Sequence, residues 1–351
     1  MPRPEALPGE DSPSHHRPGL GDWAELLRVS ALFTVPGDAL AGAAASGARP
    51  RGRTLLAIAS SLCLYEAGMA LNDWADREVD AVERPHRPLP SGRITPFAPL
   101  AAATGLTAAG LALASLAGRR PLAVAGALAG TVWAYDLGLK NTPAGPLAMA
   151  GARSLDLLLG AVATTGRVRP ALPASALLGA HTFSVTTVSR REAEGGSTLA
   201  PLAGLAVTAV LARAVAHGRV AHGSPVPGPT PASHQLPVGP TPASHQLPAG
   251  RGVAAALGLP GPTPPPRLRS PPGALDALPA AQAPLPAAQL LSHALLTPSP
   301  QLTQRAVGGG IRAMIPLQAA LAARSGHPGV AVVTASLAPL ARRFARKVSV
   351  T

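Results

Sequence analysis

Apolar segments long enough to cross a lipid bilayer recur along most of this 351-residue chain, and only 13% of its residues are charged. Soluble domains carry roughly 25% charged residues, whereas about 20 consecutive apolar residues in a helix span the hydrocarbon core of a bilayer. Several runs are rich in Ala and Gly, which suits close helix packing in lipid. The pattern predicts an all-α membrane protein of about nine transmembrane helices. The runs lie at 24–46, 54–72, 96–117, 121–139, 145–165, 171–189, 197–217, 304–323 and 327–342.

A proline-rich stretch interrupts this pattern. The segment 228–237 recurs almost at once as 239–248, and so much proline excludes a helix and indicates a low-complexity insertion. We read the histidines of the two copies as part of a duplicated linker rather than as metal ligands. The predicted organisation is therefore a disordered N-terminal tail at 1–22, seven transmembrane helices at 23–217, the Pro-rich insertion with its tandem repeat at 218–303, and two last helices with a basic C-terminal tail at 304–351.

The net charge of +13 does not indicate a nucleic-acid partner, because the basic residues form short clusters without an accompanying aromatic stripe or a nucleic-acid motif. Anionic lipid head groups and a diphosphate ligand explain the charge better. Cys63 is the single cysteine, so a disulfide within the chain is impossible. Residues 1–22 lack the apolar core of a cleavable signal peptide. We expect a multi-pass protein of the lipid bilayer, in a bacterial cytoplasmic membrane.

Charge does not orient the expected helices. If successive runs alternate across the bilayer, residues 73–95 share a side with Lys140, Arg190 and Arg324, whereas the arginines of the other connectors lie on the opposite side. Basic residues then occur on both sides in similar number. The positive-inside rule therefore favours neither orientation.

Three aspartates follow an apolar run with a spacing that places them on one helix face. Asp73, Asp76 and Asp80 are separated by three and then four residues, as neighbours on an α-helix are. Like charges on one face repel each other, and the C-terminal end of a helix disfavours negative charge. With Asn72 they offer only oxygen ligands, which suits Mg²⁺ rather than zinc or copper. We predict a Mg²⁺ site from these four residues; a solvated helix end with surface ion pairs is the alternative.

Basic residues follow the aspartates directly. Mg²⁺ typically binds through one or two carboxylates together with substrate phosphates, and arginine is well suited to hold phosphate oxygens. Arg84, Arg87 and Arg93 are therefore candidates to bind the phosphates of a substrate.

Ionisable residues also occur inside the apolar runs, where they are energetically costly and become candidates for function. Arg153 and Asp156 are three residues apart, so they can simply pair with each other. His181 is better explained as a hydrogen-bonded interior residue than as a ligand. The other such residues are Asp38, Glu66 and Asp136.

The aspartate segment resembles the first signature of the UbiA family of intramembrane prenyltransferases. The match covers Asn72 to Asp80 and continues through Arg84-Pro85-His86-Arg87-Pro88-Leu89-Pro90-Ser91-Gly92. A second segment, from Tyr135 to Thr142, resembles the tyrosine-to-lysine segment of the family. The resemblance covers residues 24–217 and 304–342, and it implies a nine-helix bundle around a central cavity.

One departure from the family pattern concerns its second aspartate motif, which is expected after the sixth helix. Ser189 stands where the first aspartate of that motif belongs, and Glu192, with Glu194, keeps a carboxylate downstream. Glu192 can still bind Mg²⁺, whereas Arg190 and Arg191 can neutralise a diphosphate directly. The resemblance therefore leaves the diphosphate site expected and a standard two-metal arrangement open.

The resemblance implies Mg²⁺-dependent transfer of a prenyl group from an allylic isoprenoid diphosphate to an unknown aromatic or lipid acceptor. Its expected catalytic residues are Asp73, Asp76 and Lys140. Its expected substrate-binding residues are Arg84, Arg87, Tyr135 and Arg190, and its expected metal ligands are Asn72, Asp73, Asp76, Asp80 and Glu192. The alternative is a catalytically inactive relative that acts in lipid binding or assembly, which the serine at position 189 favours.

Overall fold

The computed structural model describes residues 19–190, 213 and 300–348, and these form α-helices, short 3₁₀ helices and turns, with no strand in the described ranges. The helices are α1 Leu20–Leu26, α2 Val35–Ala45, α3 Gly52–Ala75, α4 Arg77–Glu83, α5 Phe97–Ala117, α6 Arg119–Leu137, α7 Gly145–Thr165, α8 Leu172–Arg190, α9 Pro300–Arg312, α10 Met314–Arg324 and α11 Pro328–Val348.

Three of the described helices, α3, α5 and α7, are long and apolar enough to cross a membrane. Their bounds match the apolar runs of the sequence closely, and α7 coincides with the run 145–165. Local signals explain these ends. Pro146 lies in the first turn of α7, where its missing N–H costs nothing, and Gly166 ends the helix with a left-handed φ of 72°.

Two of the apolar runs are each divided between elements. The run 24–46 is interrupted at Arg28, whose φ of 48° is uncommon for a residue other than glycine, and it continues as a 3₁₀ helix Val29–Thr34 and then α2. The run 304–323 forms α9 and α10, which are joined at Ala313. Hydropathy registers the apolar length of such a run and not the residue at which one element ends and the next begins.

Helix α7 lies at the centre of the bundle, in contact with α2, α3, α6 and α8. It meets α2 at Gly42 and Gly160, where the two backbones approach closely because neither residue has a side chain. Beside this contact Arg153 Nη1 lies 2.8 Å from Oδ2 of the fully buried Asp38. The suggested pairing of Arg153 with Asp156 is not the one formed, since Asp156 accepts a hydrogen bond from Ser61 on α3.

The order of the helices defines two ends of the bundle. One, the aspartate end, holds the C-terminal end of α3 and the start of α7. Helix α10 runs beside α2 in the same direction, because Gln318 Nε2 donates to Thr34 O at 2.8 Å and Ala322 packs against Ala44. Arg324 therefore lies at the end opposite the aspartates. The prediction that it shares their side was wrong, because it assumed that each apolar run crosses the bilayer once.

Several predictions of domain organisation fall outside the described residues. These are most of the N-terminal tail, the expected helix 197–217 except residue 213, and the Pro-rich insertion 218–303 up to residue 299. Helix α1 begins at Leu20, inside the last residues assigned to the tail. The count of nine transmembrane helices and the domain boundaries stay predictions.

Candidate active site

Asp73 carries the central carboxylate of the aspartate end. It lies in the last turn of α3 and is only 4% exposed. Its Oδ1 accepts a hydrogen bond from Arg28 Nη2 at 3.0 Å and lies 3.9 Å from Arg87 Nη1. Two guanidinium groups thus lie next to one buried carboxylate. They supply the positive charge that a cluster of three aspartates requires.

Asp80 organises the arginines that follow it. This residue of α4 is 2% exposed, and its Oδ1 accepts from Arg84 at 3.0 Å while its Oδ2 accepts from Arg87 at 2.6 Å. Since Arg87 Nη1 also faces Asp73, one cation lies between two carboxylates. In the structure Asp80 therefore positions both arginines, and its role as a metal ligand stays a prediction.

A third carboxylate connects the aspartates to the loop after α6. Lys140 Nζ lies 2.6 Å from Asp76 Oδ1. In the same loop the carbonyl oxygen of Thr142 accepts a hydrogen bond from Arg190, the last residue of α8. The two segments that resemble the family signatures thus meet at one end of the bundle. Glu192 lies outside the described residues, so its predicted role stays a prediction.

A cavity of about 330 Å³ opens between α3, α6 and α7 next to these charges. Asn72 and Asp136 line it at the aspartate end, where Asn72 Nδ2 donates to Asp136 Oδ1 at 3.3 Å. Tyr135 and Arg28 border the same region. The middle of the wall is apolar, and its lining residues include Leu64, Gly68, Met69, Leu128, Val132 and Met149.

The inner part of this cavity is polar again. Ser61, Arg153 and Asp156 line it, and Ser61 lies eleven residues before Asn72 on α3, or about 16 Å along the helix axis. An apolar passage therefore separates two polar regions. The charged end and the apolar passage beside it suit a molecule in which a hydrocarbon chain follows a charged group.

Arg28 is the residue of this site that the sequence interpretation missed. It lies within the first apolar run, and an ionisable residue in such a run is the signal that could have identified it. By contrast, Arg93 does not join the cluster. It contacts Asp22 at 2.7 Å and Glu25 at 2.9 Å, and the hydrogen bond to Glu25 raises the pKa of the Arg93 guanidinium above its ordinary value. Arg93 attaches the loop to α1.

The carboxylates suit a divalent cation by their chemistry. Asp73 and Asp76 each present oxygen atoms to a basic side chain next to the cavity, and Mg²⁺ prefers oxygen ligands. Within residues 19–190 and 300–348, no group of three or more His, Cys, Asp or Glu side chains is arranged to hold a metal ion. The described donors therefore fit a shared site that a phosphate substrate completes, as is common for Mg²⁺.

Comparison with known proteins gives relatives over part of the chain. It is 37% identical over 115 residues to digeranylgeranylglyceryl phosphate synthase of Methanopyrus kandleri, a stretch covering 33% of this chain and 41% of that protein. The chain is also 35% identical over 160 residues to protoheme IX farnesyltransferase of Acidiphilium cryptum. That match covers 42% of this chain and 49% of that protein. The matches thus span less than half the length of these two relatives.

The fold has a solved counterpart. The structure of a UbiA homolog from Aeropyrum pernix superposes with a TM-score of 0.58 at 16% sequence identity, covering 83% of this chain and 96% of that one. With the three membrane-length helices, this likeness confirms the prediction of an all-α membrane protein. The model of the UbiA prenyltransferase family matches residues 30–230, more than half of the chain. The protein therefore belongs to the UbiA prenyltransferase family.

Proposed function

We propose that the protein transfers a prenyl group from an allylic isoprenoid diphosphate to an acceptor within the membrane. The observation that carries this proposal is a cluster of alternating carboxylates and basic side chains beside an apolar cavity of about 330 Å³. A diphosphate fits the charged end, and an isoprenoid tail fits the apolar wall.

In this proposal the basic side chains bind the diphosphate and stabilise it as it leaves. Arg28, Arg87 and Lys140 are each held by an aspartate, which fixes their positions before the substrate arrives. Preorganised cations stabilise the negative charge that develops on a leaving diphosphate. Arg84 and Arg190 extend the positive surface next to them. The proposed catalytic residues remain Asp73, Asp76 and Lys140.

We infer that Mg²⁺ is the cofactor. Asn72, Asp73 and Asp76 would hold it from the described part of the chain, with Asp80 and Glu192 as further predicted ligands. When bound, Mg²⁺ neutralises phosphate oxygens and thereby favours departure of the diphosphate. The cavity wall would exclude water from an allylic cation, and the ring of Tyr135, which lines the cavity, would stabilise that cation.

The acceptor is the least specified part of the proposal. The two quoted relatives are named for a glyceryl phosphate lipid and for protoheme, so both a lipid and an aromatic acceptor fit the family. We keep an aromatic or lipid acceptor as the proposal. A bacterial cytoplasmic membrane also stays a prediction, because the matched relatives are mostly archaeal.

The proposal is tested with the full chain reconstituted in membranes, labelled prenyl diphosphates of several lengths and a panel of lipid and aromatic acceptors. We expect a labelled prenylated product that forms with Mg²⁺ and is lost when EDTA removes the metal. Prenyl diphosphate binding without product on any acceptor would instead support an inactive, lipid-binding relative. The absence of both binding and turnover would contradict the proposed site.

Arg28 offers a sharper test of the diphosphate end. We expect Arg28→Gln to raise the KM for the prenyl diphosphate roughly 10- to 100-fold, because hydrogen bonds to charged groups contribute about 1.5–3 kcal/mol. Arg28→Lys should recover part of the loss, since lysine keeps the charge without the planar guanidinium. Arg77→Gln is the matched control, because Arg77 contacts Glu78 and the Trp74 ring. Equal KM values in all three variants would exclude Arg28 from the substrate site.

A further inference from the structure

The end of the bundle opposite the aspartates carries exposed arginines that form no salt bridge with an acidic side chain among the described residues. They lie in the connectors that follow α2 and α7 and in the first turns of α3 and α6. We call them the arginine face, and they are Arg49, Arg51, Arg53, Arg119, Arg120, Arg167 and Arg169. Arg324 lies at the same end and is partly buried. The described segments 44–56, 114–124, 161–174 and 322–330 contain no Asp or Glu.

Contacts between the connectors make the arginine face one continuous surface. Arg120 Nη1 donates to the carbonyl oxygen of Gly166 at 2.7 Å, joining the start of α6 to the connector that follows α7. Thr54 and Thr164 share a hydrogen bond of 2.8 Å, which joins the start of α3 to the end of α7. These hydrogen bonds therefore join neighbouring parts of the end of the bundle that carries the arginines.

Helix stability does not explain four of these arginines. Arg51 is the N-cap of α3 and Arg53 lies in its first turn, while Arg119 and Arg120 are the first two residues of α6. The N-terminal end of a helix carries partial positive charge and favours anions, so cations there are destabilising. Four arginines thus occupy positions that their own helices disfavour. A bound anion would offset both the side-chain charges and the helix dipoles at these four positions.

Exposed apolar side chains directly next to the arginine face indicate where that anion comes from. Leu55 is 64% exposed and Leu116 is 70% exposed, and both lie within one turn of the arginines. Leu122 and Leu172 flank the same connectors and are also exposed. Arginines bordered by apolar side chains on membrane-length helices match the boundary between lipid head groups and hydrocarbon, where basic residues attract anionic lipids.

We propose that the arginine face binds the head groups of anionic phospholipids, at the end of the bundle opposite the diphosphate site. The proposal does not depend on the transferase activity. Each basic residue near an anionic lipid surface contributes about 1 kcal/mol, and salt screens that attraction. Seven such side chains would make this end selective for an anionic leaflet and would retain a shell of anionic lipid around the protein.

The test uses the full chain reconstituted in vesicles of phosphatidylcholine mixed with phosphatidylglycerol, without prenyl diphosphate. The relative affinity for the two lipids is measured from the lipid that stays bound after extraction, together with its salt dependence. We expect Arg119→Gln/Arg169→Gln to lower the preference for phosphatidylglycerol roughly 30-fold. The control Arg342→Gln/Arg343→Gln removes two exposed arginines of α11 and should change it little.

Three outcomes would overturn the proposal. The first is an unchanged preference in the Arg119→Gln/Arg169→Gln variant, and the second is an equal loss in the control. The third is competition by soluble glycerol phosphate at concentrations comparable to the lipid, because the arginine face would then bind a free phosphate rather than a membrane surface. Both variants are first checked for an unchanged elution volume in detergent, so that a folding defect is not read as lost lipid binding.

Discussion

Replacing two carboxylates by amides at the aspartate end is expected to abolish most of the prenyl transfer. The variant Asp73→Asn/Asp76→Asn keeps the shape of both side chains and removes two negative charges. We expect kcat/KM to fall by about a hundredfold or more, since changes around a bound metal alone typically cost 10- to 100-fold. The variant should also need more Mg²⁺ for half-maximal rate, because it has lost two of the charged ligands that we propose.

The matched control is Glu78→Gln/Glu83→Gln, which removes two exposed carboxylates from α4 without touching the cavity. Its rate and Mg²⁺ requirement should resemble those of the unmodified protein. Because Asp73 and Asp76 also pair with Arg28 and Lys140, thermal unfolding in detergent must show that the double variant is folded. A folded double variant with normal turnover would remove the aspartates from the mechanism.

Local spacing explains why so much of the aspartate end could be predicted from the sequence. Asp73, Asp76 and Asp80 lie within eight residues, so they are close in the chain itself. The predicted single helix face was wrong, because α3 ends at Ala75, Asp76 lies at the junction and Asp80 belongs to α4. Arg84 and Arg87 follow in the same segment and indeed contact Asp80. The bounds of α3, α5 and α7 could be predicted equally well, because a long apolar run has few alternatives to a membrane-length helix.

The missed contacts are those between distant segments. Arg28 meets Asp73 across 45 residues, and Asp38 accepts from Gln318 across 280 residues. A single sequence gives the cost of burying such a charge but not its partner, because the partner depends on which helices become neighbours. The position of Arg324 was mispredicted for the same reason: it follows from the packing of α10 along α2 and not from counting apolar runs.

The contact between α2 and α7 should tolerate no added atom, and we expect Gly160→Ala to destabilise the protein strongly. A Cβ at Gly160 would lie 2.3 Å from the carbonyl oxygen of Ala39, and one at Gly42 would lie 1.9 Å from that of Leu157. Overpacking costs typically 1–3 kcal/mol, and a clash with backbone belongs at the upper end. We expect a cost of about 3 kcal/mol, seen as a Tm lowered by roughly 5–10 °C in detergent.

Gly151→Ala is the matched control on the same helix, because a Cβ there meets nothing within 4 Å. Alanine is favoured over glycine inside a helix by roughly 0.5–1 kcal/mol, so this variant should unfold at the same or a slightly higher temperature. If Gly160→Ala lowers the Tm while Gly151→Ala leaves it unchanged or raises it, the loss of stability comes from the contact with α2 and not from the helix itself. A Tm lowered equally by both would contradict this packing.

The double variant Gly42→Ala/Gly160→Ala extends the argument to the cavity. Both clashes are relieved by the same separation of α2 from α7, so we expect the combined loss in Tm to be smaller than the sum of the single losses. That separation would also stretch the ion pair between Asp38 and Arg153, which now measures 2.8 Å. Since Arg153 lines the inner end of the cavity, variants that remain folded should lose activity even though both glycines lie far from the aspartates. Full activity in a folded double variant would show that the inner end of the cavity does not depend on this contact.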